Sequence, residues 1–160
     1  TKEAPPSSSS VGVTDVEWQW ASLRGCKLSR NMLPVELAGI ATAFANAGRR
    51  DMRLFFVLSE SAICRRQNFQ LDEIADMLTA YAKVSIRNEL LFEALGQQLV
   101  NLGTPESNEE GADNPRMIDE EKLVKSLEQA ITACAQLGLT DLQVWPALVY
   151  ALKSREQETL

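Results

Sequence analysis

The reading of this chain turns on Glu36–Leu58, ELAGIATAFANAGRRDMRLFFVL, set over Glu73–Leu95, EIADMLTAYAKVSIRNELLFEAL. Every position shifts by 37 without a gap. Glu36 meets Glu73, Leu37 meets Ile74, and Thr42-Ala43-Phe44-Ala45 meets Thr79-Ala80-Tyr81-Ala82. Arg50 meets Arg87, Asp51 meets Asn88, and Leu54-Phe55 meets Leu91-Phe92. Self-similarity at a period of 30 to 40 residues is the signature of stacked helical hairpins, because one hairpin cannot bury its apolar face alone.

The residues within each copy predict helices. From Val35, the apolar residues Leu37, Ile40, Ala41, Phe44 and Ala45 recur at the spacing of one helical face. Pro34 suits the first helical position, where a missing N–H costs nothing, and Gly48 supplies a left-handed stop. Asp51 is expected to cap a second helix that runs to about Arg65 and carries Leu54, Phe55, Leu58 and Ala62 inward.

A weaker third copy lies 90 residues after the first: Leu127 on Leu37, Thr132-Ala133-Cys134-Ala135 on Thr42-Ala43-Phe44-Ala45, Gly138 on Gly48. Asp141 is expected as its cap, and Pro146 should kink its second helix or delay the start to near Trp145. The extra residues are polar and acidic, GTPESNEEGADNPR (Gly103 to Arg116), and read as a loop inserted between repeats. Ahead of the first copy, Thr14-Asp15-Val16-Glu17 is a capping-box pattern. It predicts a helix bearing Trp18, Trp20 and Leu23, ending at Arg24 with Gly25 as its stop. That helix is either the second half of an incomplete leading repeat or an end cap.

The expected fold is therefore all-α, a short α-solenoid of about three helical-hairpin repeats plus a leading helix. The repeat domain spans 14–154, with repeats at 33–69, 70–103 and 119–154 and an acidic loop at 104–118. Residues 1–13 hold two prolines, four serines and little apolar mass, which predicts an extended tail, and 155–160 is a second short tail.

Composition narrows the chemistry. The 160 residues include no histidine, which removes Ser-His and Cys-His dyads and His-ligated metals. Cys26, Cys64 and Cys134 lie far apart with no CxxC, so they read as small hydrophobes in a reducing compartment. The adjacent acids Asp72-Glu73, Glu109-Glu110 and Glu120-Glu121 point apart on a helix and sit at helix starts or in the loop. No phosphate-binding glycine loop or nucleophile elbow appears. The expectation is a protein that is not an enzyme and carries no cofactor or metal. Charged residues break every apolar run, so no membrane span is expected.

The net charge of -6 is unevenly placed. Residues 21–69 carry eight basic against three acidic side chains, whereas 104–160 carries five against eleven. The overall balance disfavours sequence-blind nucleic-acid binding. The basic block can still meet RNA or an acidic protein on one side. The candidate contacts are Arg49, Arg50, Arg53, Arg65, Arg66, Lys83 and Arg87, since guanidinium forks pair with phosphate and stack on bases. Trp18 and Trp20 are candidate anchors for a partner protein.

The unit ELAxxxxAxAxxxxR[DN]xxLFxxL, carried by Glu36-Leu37-Ala38, Phe44-Ala45, Arg50-Asp51 and Leu54-Phe55 and again by Glu73-Ile74-Ala75, Tyr81-Ala82, Arg87-Asn88 and Leu91-Phe92, resembles the heptatricopeptide-type repeats of organelle proteins. Such repeats occur in FAST-kinase-like and RAP-domain proteins. The resemblance covers roughly 33–103 well and 119–152 loosely. It implies a mitochondrial location and a part in organelle RNA metabolism. No RAP domain follows and the C-terminal half is acidic, so the expected role is an accessory subunit in a large assembly. The leading expectation is a non-catalytic adaptor of a mitochondrial ribonucleoprotein, the mitoribosome first, contacting rRNA and neighbouring proteins. The alternative is a protein–protein scaffold in a respiratory or ATP synthase complex, without RNA contact.

Overall fold

The computed structural model describes residues 14–103 and 119–158. The 1–13 tail, the whole of the acidic 104–118 loop and the last two residues lie outside the described residues. Within them the chain is all-helical, with seven α-helices and no strand. These are α1 (Asp15–Leu28), α2 (Pro34–Asn46), α3 (Met52–Cys64), α4 (Leu71–Lys83), α5 (Glu89–Leu102), α6 (Glu120–Gln136) and α7 (Val144–Glu158).

Local chemistry repeats with the sequence. Thr14, Asp51 and Asn88, each 37 after the last, accept the N–H three residues on and so start α1, α3 and α5. Glu36 and Glu73 reach back to the N–H of Leu33 and Gln70 at the starts of α2 and α4. Each hairpin corner closes the same way: the N–H of Arg49, Ile86 and Leu139 bonds the carbonyl of Phe44, Tyr81 and Cys134 at 2.8, 2.9 and 2.8 Å. The residue before each of those donors is left-handed, Gly48 at φ 70°, Ser85 at 57° and Gly138 at 70°. This is the helix-ending turn that favours glycine, and the middle copy builds it with serine.

Packing follows the same order. α2 lies on α4 and α4 on α6; in a second row α1 lies on α3, α3 on α5 and α5 on α7. Between the rows an aromatic of the second row meets an aromatic of the next copy in the first row. Trp18 packs edge-on to Phe44 at 4.6 Å, and Phe55, 37 residues on, packs edge-on to Tyr81 at 4.8 Å. Phe55, Phe69, Tyr81 and Phe92 are fully buried with Leu37, Leu54, Leu58, Ile74, Leu91 and Leu95. Burying each such side chain is worth about 1.5–3 kcal/mol. The Tyr81 hydroxyl donates to the Phe55 carbonyl, so its one polar atom is satisfied.

The ends of the first row differ. Ala38 and Ala45 are buried in α2, and Ala75 and Ala82 in α4, whereas their counterparts Glu128 and Ala135 in α6 are exposed. Conversely Met77 and Ala80 of α4, Val84 just after it, and Ala130 and Ala133 of α6 are buried, while in α2 Ile40 is half-buried and Ala43 exposed, as is Ala47 just after it. Among the described residues, α4 is thus covered on both sides within the row, and α2 and α6 on one.

Three expectations change. α1 does not stop at Arg24: it continues through Gly25, which is helical and buried. A Cβ there would lie 2.9 Å from Leu54 Cδ1, so the glycine permits close packing on α3 rather than a turn. Asp141 does not cap α7, which starts at Val144 with Pro146 in its first turn. Glu93 of α5 takes the Val144 N–H instead, at 2.7 Å. The 155–160 segment is not a tail throughout, because α7 runs to Glu158. Arg155 anchors it, donating to Glu120 at 2.7 Å and to the Gly103 carbonyl.

Candidate functional site

Six of the seven basic candidates separate into two groups, and Arg53 stands apart from both. Arg49, Arg50, Lys83 and Arg87 share the edge formed by the α2–α3 and α4–α5 corners. Contacts across the two corners tie it together: Arg50 Nη2 donates to the Ser85 carbonyl at 3.2 Å, and Lys83 Nζ to Asn46 Oδ1 at 2.7 Å. Arg87 pairs with Glu89 at 3.4 Å in full view of solvent. Arg50, Lys83 and Arg87 are exposed, and such surface pairs are worth about 0–1 kcal/mol, weak enough to exchange for a phosphate.

Arg49 is held more firmly. Its guanidinium pairs with Asp15 and lies 5.5 Å from the centre of the Trp18 ring. It stands where the later corners place buried Ile86 and Leu139, and Trp18 supplies the apolar platform that lets a cation occupy that position. Trp18, Phe44, Gly48, Arg49, Arg50 and Asp51 line a shallow groove along this edge.

Arg65 and Arg66 lie apart from that edge, after α3. Arg65 donates to the Met32 carbonyl and Arg66 to that of Ile63 at 3.0 Å. Gln98 likewise donates to the Gln67 and Phe69 carbonyls, at 3.3 and 3.4 Å, and Arg155 to that of Gly103. Arg65, Gln98 and Arg155 thus each brace the link that precedes their hairpin, whereas the Arg66 contact is local, to the end of α3 itself. Arg65 is thus part of the architecture. Arg53 is exposed in the first turn of α3, and its charge opposes the rise that burial gives the Cys26 thiol pKa.

The two tryptophans also part. Trp18 is half-buried against Phe44, whereas Trp20 is 63% exposed with Arg24 over its ring at 5.6 Å. Trp145 is a third site that the sequence reading left aside. It occupies the register of Trp18, Phe55 and Phe92, the first two of which face a ring on a later helix. Among the described residues no ring faces Trp145. Val149 and Leu152 continue its face and are half-buried. The 53-residue step from Phe92 is the signal that would have found it.

The surface over α2, α4 and α6 carries the opposite charge. Asp72, Glu73 and Asp76 line one groove with Ala38, Gly39 and Thr42, and Asp72, Asp76, Asp119 and Glu121 line a second with Lys122 and Lys125. Partial burial, then neighbouring Asp72, pushes the Asp76 carboxyl above the ordinary carboxylate range, with Lys125 opposing. Lys122 holds Asp72 at 2.7 Å. Cys134, where the earlier copies have Phe44 and Tyr81, is fully buried; burial and then Glu93 push its thiol up to about 11, a protonated and unreactive state at neutral pH.

Among the described residues no cluster of three or more metal-ligating side chains occurs, and no helix is long and apolar enough to cross a membrane. No protein-family model matches the chain, and no curated protein or solved structure is detectably similar to it.

Proposed function

We propose that this chain is a short α-solenoid acting as a non-catalytic adaptor subunit in a larger assembly, with the basic corner edge turned toward RNA. The shared register of caps, corners and aromatic pairs supports the solenoid reading. The resemblance of the 37-residue unit to organelle repeats is what favours a mitochondrial ribonucleoprotein as that assembly, the mitoribosome first. The observation that carries RNA contact is the gathering of Arg49, Arg50, Lys83 and Arg87 on one edge, beside the half-buried Trp18, with Asp15 and Glu89 in exposed pairs there and the acidic grooves of Asp72 and Asp76 elsewhere. Phosphate affinity then has a single place to act.

Binding of single-stranded RNA measured against salt tests this. Three or four engaged cations give a log–log slope of about -2 to -3. Reversing Arg50, Lys83 and Arg87 to Glu should bring the slope to near zero. A slope near zero in the unaltered chain overturns RNA contact.

A scaffold reading without RNA is favoured by a different observation, the open face of Trp145, Val149 and Leu152. In the earlier copies this register is filled by the next helix, so a partner helix would complete the stack. Co-migration with respiratory or ATP synthase complexes rather than ribosomal particles, unaffected by nuclease, would favour it.

A further inference from the structure

Among the exposed large apolar side chains of the described residues, Val16 (73% exposed), Trp20 (63%) and Leu23 (54%) lie on one stripe of α1. At 100° per residue, positions i, i+4 and i+7 fall within about 60° of one another on the helix surface. The counterparts 37 residues on, Arg53, Val57 and Glu60, show what the same outward stripe of α3 carries: two charges and a half-buried valine. α1 has therefore exchanged a solvated stripe for an apolar one. Its inward side is already occupied, by Gly25 against Leu54 and Trp18 against Phe44, so the stripe adds nothing to the fold of the single chain.

The charges beside this stripe say what covers it. Glu17 and Arg24 are seven residues apart on one flank, both exposed, and among the described residues neither has an ion-pair partner within the chain. We infer that the stripe pairs with a second copy of the same chain, the two α1 helices running antiparallel about a two-fold axis that passes between Trp20 and Ala21. Flanks of antiparallel helices meet their own kind. Glu17 of each copy then faces Arg24 of the other, twice over, while the two Trp20 rings stack at the centre and Val16 interleaves with the partner's Leu23. A parallel pairing would turn this flank toward the partner's opposite flank, where Gln19 and Cys26 lie, so Glu17 and Arg24 meet each other only when the helices run antiparallel. Arg24 already folds over the Trp20 ring, close to where the partner's carboxylate arrives. This pairing is independent of whether the basic edge touches RNA, because its residues lie on α1 alone.

Sedimentation equilibrium on the purified full chain, from micromolar to sub-millimolar, tests it. The expected mass rises with concentration from 17.7 kDa toward twice that value. Glu17→Arg alone and Arg24→Glu alone should each weaken association about tenfold or more, since each sets like charges opposite one another. The Glu17→Arg/Arg24→Glu double variant should recover to within about threefold of the original, because the swapped pair is again complementary. Trp20→Ser should abolish the dimer without lowering Tm, its side chain being outside the core. A chain that stays monomeric throughout overturns the inference, and the stripe then belongs to a different protein. So does a double variant no better than the singles, or a dimer indifferent to Trp20→Ser, which must use another face.

Discussion

The middle hairpin, α4–α5, and the last, α6–α7, occupy the same register but solve it with different residues. α4 is covered by α2 on one side and α6 on the other, and Ile74, Met77, Leu78 and Tyr81 are all fully buried. Within its own row α6 has, among the described residues, a neighbour on its α4 side alone. At the equivalent of Tyr81 it needs only Cys134, and at the equivalent of Ala75 it tolerates exposed Glu128. The caps differ too: Asn88 caps α5 from within its own copy, while α7 borrows Glu93 from the copy before. The repeat is thus a set of positions rather than of residues, and what each position demands depends on how many neighbours it has.

The sharpest way to break this comparison is to truncate the aromatics. Tyr81→Ala leaves a cavity between both rows and should cost about 3–5 kcal/mol. Trp145→Ala, at a half-buried site with one open side, should cost about 1–2 kcal/mol. Equal losses in urea denaturation would mean that the chain does not distinguish its middle from its end.

The corners give a smaller effect. Gly48→Ala and Gly138→Ala force a Cβ into the left-handed region and should each cost about 1 kcal/mol, although neither Cβ would meet another atom. Ser85→Gly should change stability in the other direction by about 0.5 kcal/mol, the relief of strain exceeding the added freedom of the unfolded chain. If Ser85→Gly destabilises, the serine holds that corner by something other than its backbone.

The smallest expected change is at Asp76. Its folded pKa is raised, so the folded chain binds that proton more tightly than the unfolded one. The cost of ionising it is absent in acid, where both states are protonated, and appears as pH rises through the carboxylate range. Asp76→Asn should therefore raise Tm slightly at neutral pH, with the gain vanishing as pH falls below the unfolded carboxylate pKa. A gain that persists in acid would point to packing rather than charge.

Where the sequence reading succeeded, it did so because the partner of a residue was nearby in the chain. Pro34, Gly48, Asp51 and Asn88 act on backbone groups within a few residues, and those starts and stops were legible. Gly25 was misread because a glycine that ends a helix and one that admits a neighbouring helix look alike until Leu54 is seen against it. Asp141 was a reasonable cap, but Pro146 shifted the helix start and Glu93 waited 51 residues upstream. The same limit applied to the basic candidates. Their identity, and the clustering of five of them between 21 and 69, were visible in the sequence. That Arg65 is spent on the Met32 carbonyl, while Arg50 and Lys83 join one edge with Arg87, was not.

By itself the sequence determined the helices, their period and the aromatic positions, because periodic burial leaves a periodic pattern of side-chain size. It also determined that the chain lacks the common histidine-based chemistries. Only the tertiary structure decided which cations share a surface, which tryptophan is spent inside, and which faces stay open at Trp20 and Trp145. Those outcomes depend on distances between residues tens of positions apart, and a linear pattern does not encode them.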